Sequence, residues 1–576
     1  MKRRVVAIGL DAAEWTLVER MLAAGELPHM AALRQRSAEA RLHNGDYRTG
    51  IVWEHFLTGK SAAGNRRWSA VQFDPLAYDA WQVGGRRLIP FYSNIQSDGR
   101  HQESPITTIA FDVPYVTLTG SVEGAEITSW GGHDPGYPRA ARPPGLLREV
   151  DAIFGPHPAF GNDYELVWYR PGPLDALGDA LIVGARRRAD ISLWLQRRFP
   201  EWDLFLTVMS EPHSAGELMW HGIDTTHPAA NTPTAAQAGR RLREVYRAVD
   251  DSIGRIAAAL PPDTTLVVFS MYGMGTNDAD LSSMALLPEL LHRLNFQRSF
   301  LRDPDQDAWR SADFPPIVLD PQQAWAGYMK GLMPAPRRSR IRARIRQATP
   351  APLLEAYRAA KRAREGNAAG AGRVGALGRW IAEETNLSPE EIGQHRHSLA
   401  WQIPFAYRPF WPQMRAFALP TFYDGRVRIN LEGRERDGVV APEDYRRACL
   451  EVVETVRACR NPRTGQEALA EVTLLRADDP MAPDGPEADI QIVWADAADA
   501  FEHPDVGTIG PFPYRRTGGH SPNGFLFLAG PGIERCDLGE HDSLDVTPTL
   551  LALLGREPAA DLEGKPILQP DRGVGA

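Results

Sequence analysis

Cysteine is scarce in this 576-residue chain: Cys449, Cys459 and Cys536 are the only three. None makes a C-x-x-C spacing, and an odd count argues against a disulfide framework. A reducing, cytoplasmic setting is therefore the expectation. Long apolar runs are also lacking, and none approaches the roughly 20 residues of a membrane span. The charged start Met1-Lys2-Arg3-Arg4 leads into Val5–Leu10, but that run is too short for a signal peptide and Asp11 closes it. It reads as a first strand. Positive charge is not in excess: 64 Lys and Arg face 73 Asp and Glu, a net charge of −9. The surface as a whole is thus no nucleic-acid platform. What is present is ordinary for a globular protein, with 43% hydrophobic and 24% charged residues. The length suggests several domains, or one large domain with insertions.

The most informative stretch is Asp203–Asp224, DLFLTVMSEPHSAGELMWHGID. Leu204–Met209 suits a buried parallel strand, Ser210-Glu211-Pro212 breaks the run, and a helical pattern follows from His213. Strand, turn and helix make a βα unit of an open α/β sheet, whose ligands gather beyond the strand C-ends. His213, Glu217 and His221 fall at i, i+4 and i+8, on one helical face. Imidazole and carboxylate so placed can grip a divalent metal; the same spacing also describes a plain polar helix face.

Other segments follow in order. Asp11 sits at the end of the first strand, placed for a metal or phosphate, or simply in a turn. Helices are expected over Ala13–Ala24 and on to about Ser37. Thr49 precedes an amphipathic segment that stops at Thr58-Gly59. As a helix N-cap it would satisfy orphan N–H groups; as a nucleophile it would work in the helix-dipole field, and from this window alone the cap is favoured. Thr107–Phe111, Thr264–Ser270, Asp489–Trp494 and Phe525–Ala529 read as strands. Leu174–Phe199, Thr234–Leu260 and Pro442–Cys459 read as helices. Tyr423–Leu431 reads as a hairpin. Trp130 and His133 lie in a Gly-rich loop. Between Lys330 and Arg364 eleven Lys and Arg face the single acid Glu355. Such a stretch is a solvated basic helix, or a contact for an anionic substrate or membrane surface. Gly366–Gly378 has linker composition.

The segment GLDAAEWTLVERMLAAGELPHMAAL, the T-x8-TG spacing at Thr49, the GRVRINL stretch at Gly425–Leu431, the loop around His520 and the DVTPTLLALL segment resemble the alkaline phosphatase superfamily. The likeness spans nearly the whole chain. It is nearest to the type I phosphodiesterase/nucleotide pyrophosphatase group, including bacterial proteins labelled predicted phosphohydrolase/phosphomutase. The resemblance implies an α/β fold with a central, mostly parallel sheet flanked by helices and inserted cap segments. The expected core is 1–300 and 396–576, with a cap-like insertion at about 75–170 and a basic, mainly helical insertion at 301–395.

The resemblance also implies roles. Asp11 would bind one metal, Thr49 would be the nucleophile, and His520 would be the last metal-binding histidine. Where the family carries an Asp and then a His, this chain has His213 and Glu217. Where the family carries an adjacent Asp-His pair, it has Met271 and Tyr272. Thioether is soft and phenol titrates near ~10, so neither suits a hard zinc site. One metal of the family's two is therefore expected to be absent or weak. His213, Glu217 and His520 would hold a single divalent ion, zinc first, with manganese or iron(II) suited to the same donors. Trp130, His133, His221 and Tyr272 are weaker expectations for substrate contact. The expected function is a metal-dependent hydrolase or transferase acting on a small anionic phosphate ester or diester, or a related sulfate or phosphonate. A homologue that binds without turnover, or a repurposed His-Glu-His metal enzyme, is the alternative.

Overall fold

The computed structural model describes residues 3–83, 88–94, 105–118, 121–131, 139–160, 168–320, 323–334 and 396–568. His133, the linker 366–378 and most of the basic stretch lie outside the described residues.

Nine strands form the main sheet. From edge to edge they are Asp537–Asp542, Ala38–His43, Asn523–Ala529, Thr264–Ser270, Arg4–Leu10, Leu204–Met209, Thr107–Phe111, Glu123–Thr128 and Ala140–Arg142. Asn523–Ala529 and Ala140–Arg142 pair antiparallel, and the other neighbours run parallel. The sheet is mostly parallel and flanked by helices, as expected. Its central strands read as unbroken apolar runs because helices cover both faces. Leu204–Met209 is buried along its whole length.

The long helices Pro171–Arg198 and Ala235–Ala258 pack together on one side and fall within two or three residues of their expected bounds. Leu10 pairs with Met209, and Gly9 with Phe269, so Asp11, Ser210 and Met271 emerge level at one edge of the sheet.

Three features of the described residues bear on the expected organisation. The stretch 75–170, expected as a cap, supplies the strands Thr107–Phe111, Glu123–Thr128 and Ala140–Arg142 to the main sheet. They are short and lie at or near an edge, where the periodic signal is weak. Within 396–576, expected as one core, Ala416–Ala418, Gly425–Ile429, Ile490–Trp494 and Leu469–Leu474 build a separate antiparallel sheet over a second hydrophobic cluster. Residues 301–334, expected within an insertion, place Leu301, Trp309, Trp325 and Met329 in that same cluster.

The Gly425–Ile429 strand alternates apolar and arginine residues, yet all five are buried. Arg426 is paired with Asp424 at 2.9 Å and Arg428 with Glu435 at 2.6 Å, so their charges are matched inside the protein.

Candidate active site

Asp11 is buried at the C-end of the first strand. Its Oδ1 accepts two hydrogen bonds of 2.6 Å, from Trp53 Nε1 and from the Tyr272 hydroxyl. Trp53 reaches it because residue 9 is glycine: a Cβ there would sit 2.5 Å from the indole. Burial, and then the Asp11 charge, push the Tyr272 phenol well above its ordinary range. It therefore stays a proton donor. The other oxygen, Oδ2, lies 3.7 Å from His213 Nδ1.

His213 stands in the first helical turns after the central strand, in the helix Glu211–Met219. His520 comes from the strand Gly518–Ser521, which pairs with Gly273–Thr276. The two imidazoles meet with Nε2 2.8 Å from Nε2. His520 Nδ1 lies 3.2 Å from the carbonyl oxygen of Tyr47. A carbonyl only accepts, so Nδ1 carries the proton, His520 Nε2 presents its lone pair, and His213 Nε2–H donates to it. Tyr423 stacks flat on His520 at 3.7 Å between centroids, and Tyr272 meets its edge at 4.6 Å. Glycines bring the two elements together, since a Cβ on Gly518 would lie 2.2 Å from the Gly216 carbonyl oxygen.

Glu217 follows one turn after His213, with Oε1 3.9 Å from His213 Nε2. The same Oε1 is in contact with Arg516 Nη1. Among the described residues, only His29, Asp250 and Asp251 bring three His, Asp or Glu donor atoms within 4.8 Å of one another. The His213, Glu217 and His520 donors stop short of that convergence.

Thr49 ends a 3-10 turn, Tyr47–Thr49, and Gly50 follows with φ 73°. The helix starts only at Val52 and stops at Gly59, which is left-handed, as expected for its C-cap. Thr49 is thus not its N-cap. Its Oγ1 donates to Asp46 O at 2.8 Å and accepts from Ile51 N at 3.3 Å. Beside it, Arg48 donates to Asp278 Oδ2 at 2.9 Å and to Tyr423 O at 2.6 Å.

His221 and Trp130 separate from this group, whereas Tyr272 stands within it. The helix tightens into a 3-10 turn at Trp220–Gly222, which rotates His221 off the His213 face. His221 is buried, with Thr517 Oγ1 and Thr234 Oγ1 at its two nitrogens. Burial, then His227, depresses it to about 3, so it is a neutral buried histidine. Trp130 is buried too, edge-on to His157 at 5.0 Å and under the Arg188 guanidinium at 5.3 Å. Tyr272 is buried and spends its hydroxyl on Asp11.

Arg188 belongs to a second buried cluster at this edge, with Asp112 at 2.8 Å and Glu211 at 3.2 Å. Burial alone would raise Glu211, but Arg188 and His157 hold it down at about 2.

Sequence reasoning missed Trp53, Tyr423 and Arg516. The strand glycine at 9 and the Arg515-Arg516 pair just ahead of the Gly-rich loop were the available signals.

The sequence profile of the family described as type I phosphodiesterase / nucleotide pyrophosphatase matches residues 5–362. No protein of curated function matches the chain in sequence. Among solved structures, the chain is similar to phosphonoacetate hydrolase from Sinorhizobium meliloti 1021 in complex with phosphonoformate, at 10% identity, with 96% of each chain covered and a TM-score of 0.43. It is similar to human ectonucleotide pyrophosphatase / phosphodiesterase 5 at 10% identity, covering 97% of this chain and 96% of that one, with a TM-score of 0.43. The murine form of the latter, in complex with AMP, gives 11% identity, 97% and 96% coverage, and a TM-score of 0.42.

Proposed function

The chain belongs to the type I phosphodiesterase/nucleotide pyrophosphatase family, within the alkaline phosphatase superfamily, and from that premise we propose a hydrolase or transferase of a phosphate ester, diester or phosphonate that works with a single divalent ion. The observation that carries this reading is the double donation of Trp53 and Tyr272 to Asp11. Two neutral N–H and O–H donors occupy one of the two Asp11 oxygens, and no charged donor replaces the family's Asp-His pair at Met271 and Tyr272.

We assign the ion to His213, His520 and Glu217, which by donor type suit it; to hold it, His213 Nε2 would give up the proton it shares with His520 Nε2, and Glu217 would turn toward the two rings. The Tyr47 carbonyl holds His520 in the tautomer whose Nε2 lone pair is directed into the site, as a metal-ligating histidine requires. Two imidazoles and a carboxylate are a common zinc set with a position left open. Such an ion, when bound, polarises a phosphoryl oxygen or supplies hydroxide near neutral pH. The chain's own residues do the rest. Arg48, pinned by Asp278, puts positive charge beside the Thr49 turn. Tyr423 holds His520 flat. Thr49 Oγ1 donates a hydrogen bond to the Asp46 carbonyl and accepts one from Ile51 N, which orients the hydroxyl and leaves its second lone pair for attack.

Metal content and turnover test this together. Protein purified without chelator should carry at most one ion per chain and cleave a chromogenic phosphodiester, and His520→Ala should abolish that activity. Thr49→Ala should lower kcat by about a thousandfold or more if the hydroxyl attacks; unchanged kcat would assign attack to water. Two tightly held ions would overturn the single-ion reading.

A second reading is a binding homologue without turnover. The hold of Arg516 on Glu217 Oε1, an oxygen the ion would need, favours it. It predicts phosphoester binding with no cleavage at any metal loading.

A further inference from the structure

The single-ion site has a fixed positive charge next to it. Arg516 is buried, four residues before His520. Its Nε and Nη2 fork onto Asp280 Oδ2 and Oδ1 at 2.9 and 2.8 Å, and its Nη1 donates to Glu217 Oε1. A bidentate arginine–carboxylate pair is strong and directional, so Asp280 keeps the guanidinium in place. Arg515 closes the group with a 3.1 Å contact to Asp280.

Two arginines thus face two carboxylates, and the cluster is neutral without any ion. The backbone builds the contact in as well: Thr517 N donates to Glu217 O at 2.9 Å, which sets Arg516 alongside the Glu217 side chain. An ion on Glu217 must take the oxygen that Arg516 holds, and it brings two positive charges beside a guanidinium that Asp280 does not release.

Resting on the single-ion reading, we propose that Arg516 is a tethered cation that competes with a divalent metal for Glu217. The site is closed by an internal charge and admits an ion only when Glu217 leaves Arg516. With Arg516 on it, Glu217 Oε1 lies 3.9 Å from His213 Nε2.

Zinc titration against a chromogenic chelator tests it. Arg516→Met should bind one zinc per chain at least about tenfold more tightly than the unaltered protein. Adding His520→Ala to Arg516→Met should remove the gain, which places it at this site. If Arg516→Met fails to fold by circular dichroism, the pair Asp280→Asn with Arg516→Met removes one charge of each sign and is judged by the same criteria. Tight binding of one zinc by the unaltered protein, unchanged by the substitution, would overturn the competition and leave the single-ion reading standing. A gain that survives His520→Ala would overturn it too. Absence of zinc binding in every variant would overturn both.

Discussion

Asp11 is a buried carboxylate whose Oδ1 takes two hydrogen bonds, from Trp53 and from Tyr272. Hydrogen bonds to a charged group contribute about 1.5–3 kcal/mol each. Tyr272→Phe, which removes one such donor and little volume, should therefore destabilise the fold by about 2 kcal/mol in urea unfolding.

Glu126 is the opposite case. It is buried in the main sheet, and no described residue offers its carboxylate a hydrogen bond. Burial, opposed by Arg142, pushes it up to about 7. A carboxyl raised in the folded state binds its proton more tightly there than in the unfolded chain. Its contribution is fully favourable below about pH 4.5 and is lost as the pH rises through 7. Glu126→Gln should therefore raise the Tm relative to the unaltered protein at pH 8 and not at pH 4, with the difference opening between those values.

At this scale the candidate site was half legible. Asp11, Thr49, His213, Glu217 and His520 stand at the same edge of the sheet, because strand ends and family spacing mark such positions. Trp53 and Tyr423 arrive through tertiary packing, and nothing local in their own segments announces it.

Among elements, the strand Gly518–Ser521 matters most, since it carries His520 against the helix Glu211–Met219. Gly518 makes the approach possible. Gly518→Ala should cost about 1–3 kcal/mol, because the new methyl meets a backbone carbonyl that cannot move aside cheaply. It should weaken zinc binding in parallel, measured on the same preparation.

Elements were the most legible level. Thr107–Phe111 and Thr264–Ser270 were expected over the same residues that form the strands, because a continuous β-branched and aromatic run has few other solutions. His221 was misplaced because a helical wheel assumes 3.6 residues per turn throughout. The chain tightens at Trp220, and the eighth residue leaves the face.

Across the whole molecule, two hydrophobic clusters sit under two sheets. The segment Phe512–Thr517 ties them. On the side of the second cluster, Trp168 Nε1 donates to Tyr514 O at 3.0 Å, Trp325 Nε1 to Pro513 O at 2.7 Å, and the Tyr514 hydroxyl to Ala497 O at 2.7 Å; on the other side, Thr517 N donates at 2.9 Å to Glu217 O in the helix that places Ala215, Leu218 and Met219 in the first cluster. Because both clusters hold this segment, unfolding followed by tryptophan fluorescence and by far-ultraviolet circular dichroism should give one coincident transition. Two separated midpoints would show that the clusters unfold independently. This level was least legible: a second sheet assembled from residues 416–494 depends on pairing between strands about 60 residues apart, and periodicity within each strand says nothing about its partner. Among the described residues, no helix is long and apolar enough to cross a membrane.

The hairpin turn at Tyr423 has one more consequence. Its ring lies on His520 and its carbonyl holds Arg48, while its strands belong to the outer sheet. The pocket therefore has no single owner: one wall is lent by a layer that contributes none of the proposed metal donors. Trimming the protein to its main sheet would leave those donors in the chain and remove the wall that keeps them aligned.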